Sequence, residues 1–167
     1  TAKGMTGGYL PLAATITTDR VYDAFLGTAD ENKTFFHGHS YTGNPLGCAA
    51  ALANIGLMQA PGFMDDVREK SRLLNDQLKA LIDLPHVGDV RNLGFMTGVE
   101  LVKDKSSKTE FEAEDKMGWR VCDRCRELGM ILRPLGDVVV LMPPLAATEG
   151  ELGEMIGILR HAIRDSG

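Results

Sequence analysis

From residue 61 onward, the chain alternates segments that have the periodicity of helices with segments that have the periodicity of strands. A helix is predicted over residues 61–82, because apolar residues fall on one face and charged residues on the other. The apolar face consists of Met64, Val67, Leu74, Leu78 and Leu81. Residues 87–102 alternate instead, with Phe95, Thr97, Val99 and Leu101 on one side, which predicts half-buried strands.

The alternation continues to the last helix. After a charged loop at residues 104–115, residues 117–128 predict an amphipathic helix that ends at Gly129. Residues 131–133 and 138–142 flank a Pro-Leu-Gly-Asp turn and predict a β-hairpin. Residues 149–164 predict a closing helix. This order of elements predicts an α+β fold, in which helices cover one face of a small, mostly antiparallel sheet.

The first 60 residues are richer in glycine, alanine and threonine. Here we predict a strand over residues 10–18, a short helix over 19–26 and a strand end with a loop over 34–43. Asn44 and Pro45 predict a helix start, because asparagine caps helices and proline is favoured at the first helical position. The following helix has many small side chains, and we expect it to be buried. We therefore predict two domains, residues 1–60 and 61–167.

Composition restricts the classes of function. The formal net charge of -5 and the pI of about 5.3 argue against a nucleic-acid-binding protein, since such proteins present a basic surface. No apolar run approaches the roughly 20 residues of a membrane helix, and the first residues lack the apolar core of a signal peptide. Three cysteines without a disulfide spacing suit a cytoplasmic protein.

Lys3 is the first candidate for chemistry. A lysine amine can form a Schiff base with a carbonyl, including the aldehyde of pyridoxal phosphate. Gly4, Gly7 and Gly8 follow it and would leave room for a flat ring beside the backbone. The alternative, a surface lysine beside a glycine turn, is the commoner outcome for a lysine.

The segment HGHSYTGNP, residues 37–45, is the second candidate. A hydroxyl, from Ser40 or Thr42, precedes a predicted helix start, and helix N-termini attract phosphate. Ordinary capping beside a structural histidine pair is the alternative. A metal site formed by His37 and His39 is a weaker interpretation, because no third ligand is evident.

Two further motifs each have a functional and a structural interpretation. Arg133, in LRPLGD, lies at a predicted strand end and could bind a carboxylate in a bidentate manner, although an exposed arginine is the commoner case. Cys122 and Cys125 could form a redox or zinc pair. They share a predicted helix face with Val121 and Leu128, which favours buried core cysteines.

Together these stretches resemble a known family. AKGMTGGYLPLAAT, HGHSYTGNPLGCAAALAN and LRPLGDVVVLMPP are similar, in order and spacing, to the lysine segment, the phosphate-side loop and the carboxylate-arginine segment of class III aminotransferases, which depend on pyridoxal phosphate. Within that class, the stretches are most similar to the enzymes of biotin synthesis that act on S-adenosylmethionine and 8-amino-7-oxononanoate. The similarity covers nearly the whole chain.

The resemblance implies a role for each candidate residue. Lys3 would be the Schiff-base lysine and would move protons. Ser40, preceded by His39, would contact the cofactor phosphate of the neighbouring subunit in a homodimer, with Thr42 as the rival hydroxyl. Gly38 would lie against the substrate. Arg133 would bind the carboxylate of the oxononanoate.

The resemblance also implies a fold and which part of a full-length enzyme the chain would be. Residues 1–60 would be the end of the large domain of the pyridoxal-phosphate-dependent transferase fold, and residues 61–167 its small C-terminal α+β domain. The chain would then be a C-terminal fragment, inactive alone, without the glycine-rich phosphate loop, the stacking aromatic and the acid that holds the ring nitrogen. The alternatives are another class III enzyme, acting on a diamine or an ω-amino acid, and a non-catalytic binding domain.

Overall fold

The computed structural model describes residues 1–167, which form two compact units, residues 1–64 and residues 65–167. The first unit contains short 3₁₀ turns at Lys3–Thr6 and Ala29–Glu31, helix α1 at Asp19–Asp23 and helix α2 at Pro45–Met58. Helix α3, Phe63–Lys79, leads into the second unit and is followed by a 3₁₀ turn at Ala80–Asp83. Then come β1 (Val87–Leu93), β2 (Met96–Leu101), α4 (Met117–Glu127), β3 (Arg133–Leu135), β4 (Val138–Leu141) and α5 (Glu149–Ser166).

The second unit is built on one antiparallel sheet with the strand order β1-β2-β4-β3. Both hairpins have two-residue loops that begin with a glycine at positive φ, Gly94 at 60° and Gly136 at 59°. Such loops match the twist of the paired strands and accept glycine readily. The prediction of a small antiparallel sheet with helices is confirmed.

The core of the second unit lies on one face of this sheet. Helix α4 packs against α5 and against β3. Thr97, Val99 and Leu101 of β2 point into this core, as predicted from their alternation. The predicted face of α3 is also confirmed at Val67, Leu74 and Leu78, and at Leu81 in the following turn, whereas Met64 is exposed. Cys122 and Cys125 are buried thiols, which confirms their interpretation as core residues.

The predicted strand at residues 10–18 is wrong. This segment has no strand conformation, and its backbone pairing is limited to a reciprocal pair of hydrogen bonds between Thr1 and Ala14, at 2.8 and 2.9 Å. A β-rich sequence becomes a strand only where a partner strand completes its hydrogen bonds. No other segment of this chain runs beside residues 10–18 in that way. The predicted helix at 19–26 is present in shortened form, as α1.

Helix α2 begins where Asn44 and Pro45 predicted. The Asn44 side chain accepts a hydrogen bond from the Leu46 N–H at 2.9 Å, and proline occupies the first helical position. The expectation that this helix is buried is wrong, since only Gly47 and Ala51 are buried. Its leucines Leu46, Leu52 and Leu57 are 68–71% exposed, and Ile55 and Met58 are 38% and 39% exposed. The apolar side chains of α2 lie on all of its faces, and the contacts of the first unit cover only one of these faces.

No single helix of the chain is long and apolar enough to cross a membrane. One bent pair of helices, α2 and the segment Phe63–Asp83, meets the requirement by length and composition only.

Candidate active site

Lys3 occupies an unusual backbone conformation at the start of the first 3₁₀ turn. Its φ of 53° lies in the left-handed region, where a residue with a Cβ atom is strained. Gly7 and Gly8 follow at positive φ, and the Gly7 N–H donates to the Gly4 carbonyl at 3.0 Å. The Lys3 side chain is exposed to solvent. The segment therefore presents an amine on a tight, glycine-rich turn.

Two polar side chains hold this turn in place. Asn54, on α2, donates through Nδ2 to the carbonyl of Gly4 at 2.8 Å and to that of Met5 at 3.2 Å. Thr6 is buried, and its hydroxyl donates to the Leu10 carbonyl at 2.6 Å. Neither residue was identified from the sequence, although an asparagine within the apolar stretch ALANIGL was a signal that could have pointed to Asn54.

The loop before α2 is closed by Thr42. Its hydroxyl accepts a hydrogen bond from the His39 N–H at 2.9 Å, and its own N–H donates to the His39 carbonyl at 2.9 Å. Gly43 follows at a φ of 71°, and the Asn44 N–H donates to the Tyr41 carbonyl at 3.1 Å. Thr42 therefore shapes the turn that leads into the capped helix start.

The Lys3 turn and this loop line the same open cavity, of about 1070 Å³. The lining residues are Ala2, Lys3, Gly4, Gly7, Gly8, Tyr9, Leu10, Pro11, Leu12, Ala13, His39, Tyr41, Thr42 and Gly43. The structure thus brings Lys3 to the same cavity as His39 and Thr42, from which it is far apart in sequence. Gly38 and Ser40 are exposed residues of the same loop, but they do not line this cavity.

The two candidate hydroxyls differ in their hydrogen bonds. The Thr42 hydroxyl accepts a hydrogen bond within the turn, whereas the Ser40 side chain has no hydrogen-bond partner in this chain. Four aromatic rings run beside the loop, with centroids 5.2 Å apart for Phe25 and Phe35, 5.4 Å for Phe35 and His37, and 5.6 Å for His37 and His39. His37 and His39 thus belong to an aromatic row, and no group of three metal-ligating side chains occurs in the chain.

Arg133 belongs to the second unit, at the first position of β3. The strand registers align it with Val140, Gly98 and Arg91 in one row across the sheet, on the face opposite to the core. Arg91 donates to Asp89 at 2.9 Å and to Glu100 at 2.5 Å, and these hydrogen bonds raise the pKa of Arg91. Arg133 is exposed and has no acidic partner in this chain. Its guanidinium is therefore available to an external carboxylate.

The cavity of the first unit suits pyridoxal phosphate in part. It offers an amine for the aldehyde, and a Cβ atom at Gly4, Gly8 or Gly43 would meet nothing within 4 Å, which leaves space beside the backbone. Hydroxyl and N–H donors of residues 39–43 suit a phosphate. The lining contains no carboxylate that could hold a pyridine nitrogen. The Lys3 amine can therefore hold the aldehyde end of a cofactor and the loop offers donors for a phosphate, whereas the ring nitrogen needs a group from elsewhere.

The comparisons with known proteins identify the family of the chain. The model of the family "Aminotransferase class-III" matches residues 1–163. Adenosylmethionine-8-amino-7-oxononanoate aminotransferases from Anoxybacillus flavithermus and Geobacter sulfurreducens are 52% and 51% identical over 162 residues, which cover 97% of this chain and 36% of each relative. The chain thus spans little more than a third of the length of these relatives.

Solved structures give the same result. The crystal structure of the enzyme of that name from Methanocaldococcus jannaschii matches with a TM-score of 0.94 at 46% identity, over 98% of this chain and 37% of that one. A PMP-bound aminotransferase from Vibrio fluvialis matches with a TM-score of 0.90 at 35% identity, over 99% of this chain and 36% of that one. From its lysine turn to its last helix, the chain belongs to the class III aminotransferases.

Proposed function

We propose that the protein containing this chain transfers an amino group from S-adenosylmethionine to 8-amino-7-oxononanoate with pyridoxal phosphate as cofactor. The observation that carries the proposal is the joint position of Lys3 and the His39–Gly43 loop around one cavity, in a chain about 50% identical to enzymes that bear this name. Residues 1–60 would belong to the large domain of such an enzyme and residues 61–167 to the small one.

Lys3 is the proposed catalytic residue. When bound, pyridoxal phosphate supplies a conjugated ring that accepts the electron pair of a broken Cα–H bond. The Lys3 amine would hold the cofactor through its aldehyde group, and Nζ would take the proton from the substrate Cα as a general base. The hydrogen bonds from Asn54 and the buried Thr6 fix the backbone turn from which the Lys3 side chain extends.

Ser40 is the proposed phosphate hydroxyl, with His39 beside it. The Thr42 hydroxyl shapes the turn by accepting the His39 N–H, whereas the exposed Ser40 hydroxyl has no partner in this chain. Ser40 does not line the cavity of its own chain, which favours a contact with the cofactor of a neighbouring subunit. The test is Ser40→Ala beside Thr42→Ser in the full-length protein. The affinity for pyridoxal phosphate should fall in the first variant and stay close to the parent value in the second.

Arg133 is the proposed site for the carboxylate of the oxononanoate, and Gly38 would lie against the same substrate. A bidentate arginine–carboxylate pair contributes on the order of 2–4 kcal/mol, or roughly 30- to 1000-fold in affinity. Arg133→Ala in the full-length protein should therefore weaken binding of the oxononanoate far more than binding of S-adenosylmethionine. Arg126→Ala, which removes an exposed arginine from α4, is the matched control.

The deciding experiment compares amino donors with the full-length protein. S-adenosylmethionine should support transfer to the oxononanoate, whereas ornithine and 4-aminobutyrate should not. Transfer from a diamine or an ω-amino acid alone would assign the protein to another class III activity. No transfer from any donor would favour a non-catalytic binding domain.

The proposal includes a cytoplasmic homodimer. Its support is the three free cysteines, which suit a reducing compartment, and the exposed leucines of α2, which are apolar side chains that a second subunit would cover. Light scattering on the full-length protein should give the mass of a dimer. A fully active monomer would contradict the shared site at Ser40.

A further inference from the structure

The first turn of α4 lies unusually close to the β3–β4 hairpin. A Cβ atom at Gly118 would stand 2.3 Å from the Gly136 carbonyl oxygen, 2.9 Å from Pro134 Cβ and 3.2 Å from Asp137 Cα. Real Cβ atoms essentially never come within 3.0 Å of such neighbours. Any side chain at Gly118 would therefore push the hairpin away from the helix by about 0.7 Å or more.

A hydrogen bond joins the same two elements. Asp137 Oδ1 accepts from the Gly118 N–H at 2.9 Å. The first N–H groups of a helix lack partners within it, and Lys116 at the N-cap position provides no side-chain cap. Asp137 therefore caps α4 from the hairpin, where its negative charge also interacts favourably with the helix dipole.

This contact lies directly behind Arg133. Pro134 and Val139 are paired on the core face and meet α4, whereas Arg133 and Val140 are paired on the opposite face. Arg133 and Pro134 are joined by a planar peptide group, which transmits a shift of one residue to the next. The height of the hairpin above α4 thus sets the position of the Arg133 guanidinium.

We infer that Gly118 and Asp137 are positioning residues for Arg133 and, through it, determine the affinity for the carboxylate of the amino acceptor. The inference rests on the proposed function for the identity of that acceptor. A bidentate pair tolerates little displacement, because both N–H groups must point at both oxygens. Misplacement by about 1 Å costs on the order of 100-fold in well-oriented sites.

The principal variant is Gly118→Ala in the full-length protein. Its dissociation constant for 8-amino-7-oxononanoate, measured by calorimetry, should rise by roughly 10- to 100-fold. The half-reaction with S-adenosylmethionine should keep its rate. Gly157→Ala is the matched control, because Gly157 also lies within a helix and a Cβ atom there meets nothing within 4 Å.

A second pair of variants guards against a simple loss of folding. Asp137→Ala removes the cap and should also weaken binding of the oxononanoate. Asp137→Asn keeps the oxygen that accepts the Gly118 N–H and should restore most of the affinity. A residue that merely supports the fold would instead change both half-reactions together, along with the thermal midpoint.

A crystal structure of the Gly118→Ala protein provides a readout that is independent of substrate identity. Arg133 should be displaced together with the hairpin relative to β1 and β2, by about the 0.7 Å that the contact demands. An unmoved Arg133 would overturn the inference whatever the substrate. So would a displaced Arg133 with an unchanged dissociation constant, provided that Arg133→Ala itself weakens binding. If Arg133→Ala does not change the dissociation constant for the oxononanoate, the proposed role of Arg133 in substrate binding is wrong. The inference that Gly118 and Asp137 determine the affinity for this acceptor is then also wrong, whereas the displacement of Arg133 in the crystal structure still tests whether they position its side chain.

Discussion

Removing the Asn54 side chain should loosen the turn that carries Lys3. Asn54 donates to the carbonyls of Gly4 and Met5, at 2.8 and 3.2 Å. Each net hydrogen bond contributes about 0.5–1.5 kcal/mol, and partial exposure puts these two near the lower end, so Asn54→Ala should cost about 1–2 kcal/mol locally. Strain at the positive φ of Lys3 acts in the same direction, because an unanchored turn can relax it.

Amide hydrogen exchange of the full-length protein measures this opening. The Gly7 N–H, which donates to the Gly4 carbonyl at 3.0 Å, should exchange about 5- to 30-fold faster in Asn54→Ala. Asn54→Asp should have at least as large an effect, since a carboxylate would face two carbonyl oxygens. Asn75→Ala, on α3, is the control and should leave Gly7 unchanged. Equal exchange in the parent protein and in Asn54→Ala would refute the view that Asn54 anchors the turn.

Three further predictions concern the second unit. Burial raises the pKa of Cys122 to about 11 and that of Cys125 to about 12, so neither thiol should react with Ellman's reagent at pH 8 until urea unfolds the protein. The unfolded chain loses these thiol protons from about pH 9, whereas the folded chain keeps them until about pH 11 and 12. The free energy of unfolding should therefore fall as the pH rises from about 9 to about 12. Lys70→Ala should lower the free energy of unfolding by about 1–3 kcal/mol in urea titrations, since the buried lysine pairs with Asp66 at 2.7 Å. Thr148→Ala should cost about 1 kcal/mol in the same assay by removing the cap of α5, and Thr148→Ser should restore it.

The sequence alone determined the elements whose signals are local. Asn44 and Pro45 fixed the start of α2, because both act on the backbone of their own helix turn. The Pro-Leu-Gly-Asp turn and the alternation in β2 determined an antiparallel sheet with one buried face. The candidates Lys3 and Arg133 followed from residue type and from resemblance to the family.

Only the tertiary structure decided which segments meet. The segment at residues 10–18 has the composition of a strand but no partner within this chain, and strand formation depends on that partner. Likewise, the small side chains of α2 permit burial, yet the first unit covers only Gly47 and Ala51. Burial depends on what surrounds a helix and cannot be derived from the helix itself.

The details of the candidate site were decided in the same way. Asn54 lies about fifty positions along the chain from the turn that it holds, and Gly118 lies far from the hairpin that it supports. Sequence periodicity reports which face of an element is apolar, but it contains no distance between elements. The hydrogen bond to the Lys3 turn and the close contact behind Arg133 arise only when the chain folds, because packing brings residues remote in sequence within a few ångströms of each other.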